Sequence, residues 1–181
     1  MSNCFFEIKN STFFASKQNK VINFNLKIDK PGEIVCLLGP SGVGKTTILR
    51  SIAGLQKLAE GEIFLNGKLM SSQSVHIEPE KRNIALSFQD NSLFPHYNVI
   101  DNINFGSKRK SHSKYELAAD ELIDILHLNN LQNKFPHQIS AGEAQRVSLA
   151  RSLISKPDLL LVDEPFSNID FSLKGELQSN I

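Results

Sequence analysis

The hydrophobic positions along the chain follow two spacings, which predict strands and helices in alternation. Residues 5–14 and 20–28 partly alternate apolar and polar side chains, as strands with one buried face do. Three short apolar runs, residues 34–39, 83–88 and 158–163, are typical of strands that are buried on both faces. We therefore expect two half-exposed strands near the start of the chain and three buried strands beyond them.

Apolar residues recur at helical spacing in the stretches between these strands. Residues 45–55 predict a helix that stops near Gly54, and residues 114–131 predict a longer helical segment. Between them, residues 61–70 predict a strand with a turn at Asn66 and Gly67. The order of strand, helix, strand, helical segment and strand indicates an α/β domain that carries two attachments.

Composition narrows the class of protein. With 181 residues, 40% hydrophobic and 22% charged, the chain is long enough for one globular domain with a core. The net charge of +1 gives no electrostatic reason to expect a nucleic-acid partner. No apolar run approaches the ~20 residues of a transmembrane helix, and the N-terminus lacks a signal-peptide pattern. Cys4 and Cys36 are expected to be reduced thiols, with Cys36 packed in the core because it lies inside an apolar run.

The segment GPSGVGKT, residues 39–46, has the phosphate-binding spacing G-x-x-x-x-G-K-[ST] and joins a predicted strand to a predicted helix. Its glycines let phosphate oxygens approach backbone amides, and the helix N-terminus adds free N–H groups. Lys45 supplies a cation for the β- and γ-phosphates, and Thr46 a hydroxyl for Mg²⁺. The alternative, a glycine-rich turn with a chance lysine, is disfavoured by the flanking elements. The predicted nucleotide-binding set is Gly39, Pro40, Ser41, Gly42, Val43, Gly44, Lys45, Thr46 and Thr47.

Two adjacent acids, Asp163 and Glu164, end the last apolar run. An acid at the edge of a sheet suits Mg²⁺ coordination, so Asp163 is a candidate metal ligand. The next acid, Glu164, is then well placed to polarise a water for attack on the γ-phosphate. The alternative is a pair of loop acids, since Pro165 favours a turn.

In four ordered motifs the chain resembles the ATP-binding subunits of ABC transporters, from about Phe6 onward. After the P-loop comes SFQDNSLFPH, similar to the family's Q-loop, with Gln89 at the functional position. ISAGE, residues 139–143, is similar to the signature L-S-G-G-Q, and DEPFSNID is similar to the acid pair followed by the D-loop, which ends at Asp170.

The resemblance implies a fold and its division along the chain. The expected fold is a P-loop NTPase (RecA-like) core with an antiparallel β subdomain and a helical insert. In one domain spanning residues 1–181, the core covers about 30–100 and 156–181, and the helical subdomain about 101–155. The strands of the β subdomain are expected at about 4–30 and 61–70.

The resemblance also implies ligands and roles. ATP and Mg²⁺ are the expected ligands, with Glu164, Gln89 and Lys45 as catalytic residues and Thr46, Gln89 and Asp163 around the metal. The residues implied at the nucleotide of a second subunit, packed head to tail, are Ser140, Gly142, Glu143 and Asp170. Apart from the resemblance, a serine hydroxyl together with the N–H groups of a helix start can form an anion site. The alternative is that the serine is an ordinary helix cap. Ala141 and Glu143 depart from the family's glycine and glutamine, and the extra methyl of Ala141 bears on how tightly such a dimer closes.

An aromatic side chain upstream of the P-loop stacks on adenine in the family. STFFASKQ offers Phe13 and Phe14, and the alignment also allows Ala15 at that position. We favour Phe14, and we expect one of the two phenylalanines to lie in the core.

PEKRN at residues 79–83, followed by FQDNSLFPH, is similar to importer cassettes for ferric iron, sulfate, molybdate, thiamine and polyamines, and closest to the ferric iron group. The implied partners are a second ATPase subunit, membrane permease subunits and an external solute-binding protein. The implied location is peripheral, at the cytoplasmic face of the inner membrane. The alternatives are a soluble non-transport ABC ATPase and a nucleotide-binding protein that is defective in hydrolysis.

The family also places a further strand and a γ-phosphate histidine after the D-loop. That histidine falls about thirty residues after the catalytic acid, beyond Ile181, and His137 is the last histidine of this sequence. We therefore expect these residues to be a fragment or truncated product with little ATPase activity and poor solubility alone, because a missing central strand leaves backbone groups unpaired.

Overall fold

The structure is a computed structural model that describes residues 4–14, 20–88, 93–109 and 116–164. The chain divides into two units, Met1–Ile84 and Ala85–Ile181, which are called the N-terminal and C-terminal units below. Each unit has its own sheet and its own helices.

The N-terminal unit contains an antiparallel sheet in the order β2-β1-β3-β4. Its strands are β1 (Phe6–Phe14), β2 (Lys20–Ile28), β3 (Glu60–Leu65) and β4 (Lys68–Ser71). Asn66 and Gly67 join β3 to β4 with φ angles of 51° and 72°. Positive φ at both residues is what a tight hairpin turn requires. The two predicted alternating strands and the predicted hairpin turn are therefore confirmed.

A β-bulge interrupts β1 and decides which of its side chains are buried. The pairing of β1 with β2 shifts between Ile8 and Ser11, and again between Ser11 and Phe13. Asn10, within the first shift, has a φ of 44°. A bulge breaks the strict alternation of a strand, and here Ser11, Thr12 and Phe13 are all buried in succession. Consequently Phe13 faces the core and Phe14 does not.

The helix α1 (Lys45–Ala53) follows the P-loop and contacts β1. It buries Ile48, Ser51, Ile52 and Ala53. Its last turn ends at Gly54, whose φ of 85° permits the left-handed cap that closes many helices. The prediction of a helix that stops near Gly54 is confirmed.

The predicted buried strand at residues 34–39 is wrong for the part of the chain that the structure describes. Residues 33–40 have no regular secondary structure. Ile34 and Leu38 are 92% and 93% exposed, and Cys36, predicted to lie in the core, is exposed as well. A strand needs a neighbour to pair its N–H and C=O groups, and no described strand pairs with this segment. The apolar sequence alone does not supply that neighbour.

The C-terminal unit combines three helices with a two-stranded sheet. The strands are β5 (Ile84–Ser87) and β6 (Leu159–Val162), which match the two other predicted apolar strands. The helices are α2 (Val99–Phe105), α3 (Glu116–Ile125) and α4 (Ala141–Leu153). Short 3₁₀ turns of this unit lie at Gly106–Arg109, Asn129–Leu131 and Pro136–Gln138, and the N-terminal unit has one at Pro79–Lys81.

The core of the C-terminal unit lies between its helices. Its buried members are Val99, Ile103, Ala119, Ile123, Leu128, Leu131, Val147, Ala150 and Ile154. They come from all three helices, from the segment between α3 and α4, and from Ile154 directly after α4. Among the described helices, none combines the length and hydrophobicity needed to cross a membrane.

Candidate functional site

The P-loop curls around the side chain of Lys45. The Nζ atom of Lys45 donates hydrogen bonds to the carbonyl oxygens of Gly39, at 2.9 Å, and Pro40, at 3.0 Å. The backbone N–H of Val43 donates to the same Pro40 carbonyl at 3.4 Å, which closes the turn. Lys45 is the first residue of α1, so its ammonium group and the positive end of the helix dipole lie at the same place.

Two glycines of the P-loop have backbone conformations that other residues rarely adopt. Gly42 and Gly44 have φ angles of 78° and 111°, a region that residues with a Cβ rarely occupy. Gly44 caps α1 without a side chain, so a side chain does not compete with an anion at the first turn. Thr46 and Thr47, the next two members of the predicted set, lie half-buried on that turn. The N-terminal unit therefore brings the predicted nucleotide-binding residues of the P-loop together.

The two candidate aromatic residues near the end of β1 have different environments. Phe13 is buried and makes an edge-on contact with Phe24, with ring centroids 6.0 Å apart. Phe14 is 54% exposed, and its carbonyl accepts a hydrogen bond of 2.8 Å from the Gln56 side chain. An exposed ring on an anchored backbone is suited to stacking on a planar ligand. This supports Phe14 over Phe13, while Ala15 lies outside the described residues.

The acid pair follows directly after β6 in the C-terminal unit. Asp163 is buried, and its backbone N–H donates to the carbonyl of Ser87 at the end of β5, at 3.1 Å. Glu164 is exposed and has a φ of 49°, which is unusual for a residue other than glycine or asparagine. The pairing of β5 with β6 thus fixes Asp163 at the end of the sheet, and Glu164 is the next residue along the chain.

The serine of ISAGE is the N-cap of α4. The Ser140 Oγ accepts the Glu143 N–H at 3.3 Å, and the Glu143 carboxylate accepts the Ser140 N–H at 2.6 Å. This reciprocal pair is a capping box. The hydrogen bond from the Ser140 N–H, and then that with the Ser140 hydroxyl, lowers the pKa of Glu143 below its usual range. The capping box therefore involves both the Ser140 and the Glu143 side chains at the start of α4.

The remaining predicted residues are Gly142, Gln89 and Asp170. Gly142 lies in the first turn of α4, where an added Cβ would meet nothing within 4 Å. Gln89 and Asp170 lie outside the described residues.

Two residues with long-range contacts near the P-loop helix carry no clear signal in the sequence. Gln56, which holds the Phe14 carbonyl, follows the end of α1 as an ordinary polar residue. Arg82 is buried although it stands in the polar segment PEKRN, where an exposed side chain would be expected. Neither position could be found from periodicity, because both depend on contacts between elements that are distant in sequence.

Comparison with known proteins identifies a family for most of the chain. The family model described as ABC transporter matches residues 21–167. The Fe(3+) ions import ATP-binding protein FbpC of Escherichia coli (strain K12) is 41% identical over 179 residues, which cover 98% of this chain and 50% of that protein. The spermidine/putrescine import ATP-binding protein PotA of Nitrosospira multiformis is 44% identical over 174 residues, 95% of this chain and 47% of that protein. The chain spans about half the length of these curated relatives.

Solved structures agree with this result. The ATP-binding cassette MJ0796, described as a dimer in a post-hydrolysis state bound to ADP and Pi, is 29% identical with a TM-score of 0.78. The match covers 96% of this chain and 80% of that one. A second dimeric structure of MJ0796, described as a bacterial ABC transporter cassette, is 31% identical with a TM-score of 0.77, over 94% of this chain and 78% of that one. These likenesses confirm the predicted fold class.

Proposed function

Because the chain belongs to the ABC transporter family, we propose that it is the ATP-binding and ATP-hydrolysing subunit of an importer, and that it couples hydrolysis to the uptake of a small solute or ion. Ferric iron is the proposed cargo, because FbpC relatives named for Fe(3+) import are about 40% identical to this chain. The observation that carries the proposal is the P-loop, in which Lys45 lies against the carbonyls of Gly39 and Pro40 at the start of α1.

In this proposal the P-loop binds the phosphates of ATP. Backbone N–H groups at the start of α1 and the Lys45 ammonium stabilise the negative charge, and this charge grows on the γ-phosphate oxygens during transfer. Phe14 stacks on the adenine ring, with Gln56 anchoring its backbone. The half-buried Thr46 and Thr47 orient hydroxyl groups at the first turn of α1.

Magnesium is the metal that suits the donors of this chain. The Thr46 hydroxyl and the Asp163 carboxylate are hard oxygen donors, and Gln89 is the third residue we propose around the ion. Mg²⁺ is usually held by one or two protein oxygens together with substrate phosphates and water. Accordingly, a dedicated cage is not needed, and the described residues hold no cluster of three His, Cys, Asp or Glu side chains that could form one. When bound, Mg²⁺ would neutralise charge on the β- and γ-phosphates.

Glu164 is the proposed general base. Its exposed carboxylate can accept a proton from a water that attacks the γ-phosphate, whereas the buried Asp163 is held by the strand pairing. Gln89 is proposed to orient the same water. The two neighbouring acids thus have separate tasks because their environments differ.

Assembly is part of the proposal. A second copy or close relative would pack head to tail, with Ser140, Gly142, Glu143 and Asp170 facing the partner's ATP. This rests on the position of Ser140 as the N-cap of α4, where the free N–H groups of the helix start can bind an anion, and on the dimeric state named for the similar cassette. Permease subunits and an external solute-binding protein would complete the importer at the cytoplasmic face of the inner membrane.

The first prediction tests the P-loop assignment. Lys45→Ala removes the one side-chain cation of the loop, so the Kd for MgATP should rise at least about tenfold. Isothermal titration calorimetry on the folded variant measures this change. The matched control is Lys57→Ala, which removes an exposed lysine of the same unit and should leave the Kd unchanged. Equal affinities for wild type and Lys45→Ala would refute the phosphate cradle.

The second prediction concerns Glu164. Glu164→Gln keeps the size of the side chain but cannot accept the proton, so hydrolysis in the assembled transporter should fall by about 10²–10⁴-fold while ATP binding persists. The control is Asp158→Asn, which neutralises an exposed acid at the other end of β6. Steady-state phosphate release measures both. If Glu164→Gln turns over ATP at nearly the rate of the control, Glu164 is an ordinary acidic residue of a loop and not the general base.

The third prediction concerns the cargo. Specificity in an importer lies in the subunits that contact the cargo, so the test must use the complete system. Cells that lack the gene should take up less ferric iron, and restored uptake should require Lys45 and Glu164. Spermidine uptake measured in the same cells is the comparison, because PotA is similarly related. If these cells lose spermidine uptake but keep ferric iron uptake, the proposed cargo is a polyamine and not ferric iron.

A further inference from the structure

Arg82 is the largest side chain among the fully buried residues of the described chain, and it is only 1% exposed. Its guanidinium donates to three separate places in the N-terminal unit. Nε donates to the Ile77 carbonyl at 2.6 Å. Nη1 donates to the carbonyls of Ser51 and Ile52 at 3.1 and 2.9 Å. Nη2 donates to the Met70 carbonyl at 3.2 Å and to the Ser71 hydroxyl at 2.8 Å.

The first of these places is the C-terminal end of α1. Carbonyls in the last turn of a helix have no partner inside the helix and carry partial negative charge. Arg82 binds two of them directly, at Ser51 and Ile52, in addition to the backbone bonds of the Gly54 cap. A cation in this position stabilises the helix end more than water does, because the site is dry.

Gly54 shows how closely the guanidinium fits against this helix end. A Cβ at Gly54 would lie 2.5 Å from Arg82 Nε and 2.8 Å from Cζ. Glycine is therefore required here twice over, for its positive φ and for the space that the Arg82 side chain occupies.

The second place is the edge strand β4, and the third is the segment that leads to Arg82 itself. Met70 and Ser71 lie at the end of β4, and His76 Nδ1 lies 3.5 Å from Nη2. The acceptors are neutral carbonyls, a hydroxyl and an imidazole. Burial lowers the pKa of Arg82 to about 10, while Glu78 acts in the opposite direction, so the side chain is still a cation at neutral pH. A buried cation is costly unless it is fully hydrogen-bonded, which makes this arrangement sensitive to the loss of any partner.

We propose that Arg82 is a positioning residue for the nucleotide: by binding the C-terminal end of α1 and the end of β4 at once, it fixes the direction of the helix whose other end forms the phosphate cradle. The inference rests on the proposed ATP-binding function of the P-loop. A helix of the length of α1 measures about 13 Å, so a tilt of about 5° at the Arg82 end moves the cradle by about 1 Å. A displacement of that size at a catalytic site can cost on the order of a hundredfold.

The test separates positioning from simple stability. Arg82→Gln in the full-length protein should weaken MgATP binding by about tenfold or more at a temperature where circular dichroism shows the variant folded. The matched control is Arg50→Gln, which removes an exposed arginine from the last turn of the same helix and should leave the Kd unchanged. A role in stability alone would lower the melting temperature but leave the Kd of the folded protein at the wild-type value, and that result would overturn the proposal.

Two milder variants decide the matter if Arg82→Gln does not fold. Arg82→Lys keeps the charge but cannot reach both the helix and β4, so its Kd should stay at least about threefold above wild type. Ser71→Ala removes a single acceptor on the strand side, and its Kd should rise measurably while Arg82 still caps α1. Wild-type affinity in both variants would overturn the positioning role.

Lys45→Ala, measured in parallel, shows which idea has failed. If wild-type protein does not bind MgATP, the proposed function itself is wrong. If wild type binds, Lys45→Ala does not and the Arg82 variants bind normally, only the positioning role is wrong.

Discussion

At the scale of single residues, the capping box of α4 shows how one departure from the family signature is accommodated. Glu143 replaces the family's glutamine, and its carboxylate accepts the Ser140 N–H at 2.6 Å. Glutamine can make the same bond without a charge, so the difference between the two residues is electrostatic. The lowered pKa of Glu143 means that folding favours its ionised form.

A prediction with a definite pH dependence follows for Glu143. A carboxylate whose pKa is lowered by folding adds stability above its ordinary pKa and loses it as the pH falls through the lowered value. The stability advantage of wild type over Glu143→Gln should therefore be present at neutral pH and shrink as the pH falls below the ordinary pKa of a glutamate carboxyl group. Urea unfolding of both proteins at several pH values measures this. An advantage that does not change with pH would mean that the charge of Glu143 has no part in the cap.

The sequence predicted the positions of some individual site residues correctly, and it could not predict others. Lys45 and Asp163 stand where the motifs predicted, because a P-loop turn and a strand end are local features. The choice between Phe13 and Phe14 depends on the bulge at Asn10, which shifts the pairing of β1. That shift arises from contacts with β2 and β3, so a window of sequence cannot reveal it.

At the scale of elements, the buried Asn102 of α2 holds the segment that precedes this helix. Its Nδ2 donates to the carbonyls of Phe94, Tyr97 and Asn98 at 3.1, 3.0 and 3.0 Å, and its Oδ1 accepts the Phe94 N–H at 2.8 Å. The amide side chain thus supplies the backbone partners that a sheet would otherwise supply. Phe94 is further packed against Phe105, with ring centroids 4.5 Å apart.

Removal of the Asn102 side-chain amide should lower the stability of the protein. Asn102→Ala leaves a buried N–H and several carbonyls without partners, so the free energy of unfolding should fall by about 2–3 kcal/mol. The matched control is Asn104→Ala, a half-buried asparagine two positions along α2, which should change it by less than about 1 kcal/mol. Urea denaturation measures both variants, and the dependence of the unfolding free energy on urea concentration should stay the same in each. Equal losses of stability in the two variants would mean that the Asn102 hydrogen bonds do not hold the segment before α2.

Helices and hairpins were predictable as elements because their signals lie within each segment. The spacing in residues 45–55 and the pair Asn66 and Gly67 contain the information for α1 and for the β3–β4 turn. Residues 33–40 show the opposite case. Their apolar run predicts a strand, but a strand exists only with a paired neighbour, and the described residues offer none.

At the scale of the whole molecule, the exposed segment at residues 33–40 is the main contrast with an ordinary packed domain. Ile34, Val35 and Leu38 are exposed within a few residues of one another, beside the P-loop. Large apolar residues that are exposed together promote self-association, whereas single ones do not. The sheet of the N-terminal unit, in contrast, buries Phe6, Ile8, Ile63 and Leu65 almost completely.

The last prediction compares two leucines that differ only in their surroundings. Leu65 is 1% exposed in β3 and Leu38 is 93% exposed in the irregular segment. Leu65→Ala removes buried methyl groups and leaves a cavity, so the free energy of unfolding should fall by about 2–5 kcal/mol. Leu38→Ala loses no buried contact and should change it by less than about 0.5 kcal/mol, while reducing self-association of the chain. Urea denaturation and light scattering on the 181-residue chain measure the two effects. A cost for Leu38→Ala as large as that for Leu65→Ala would show that the segment is packed as a strand after all, as its apolar sequence predicted.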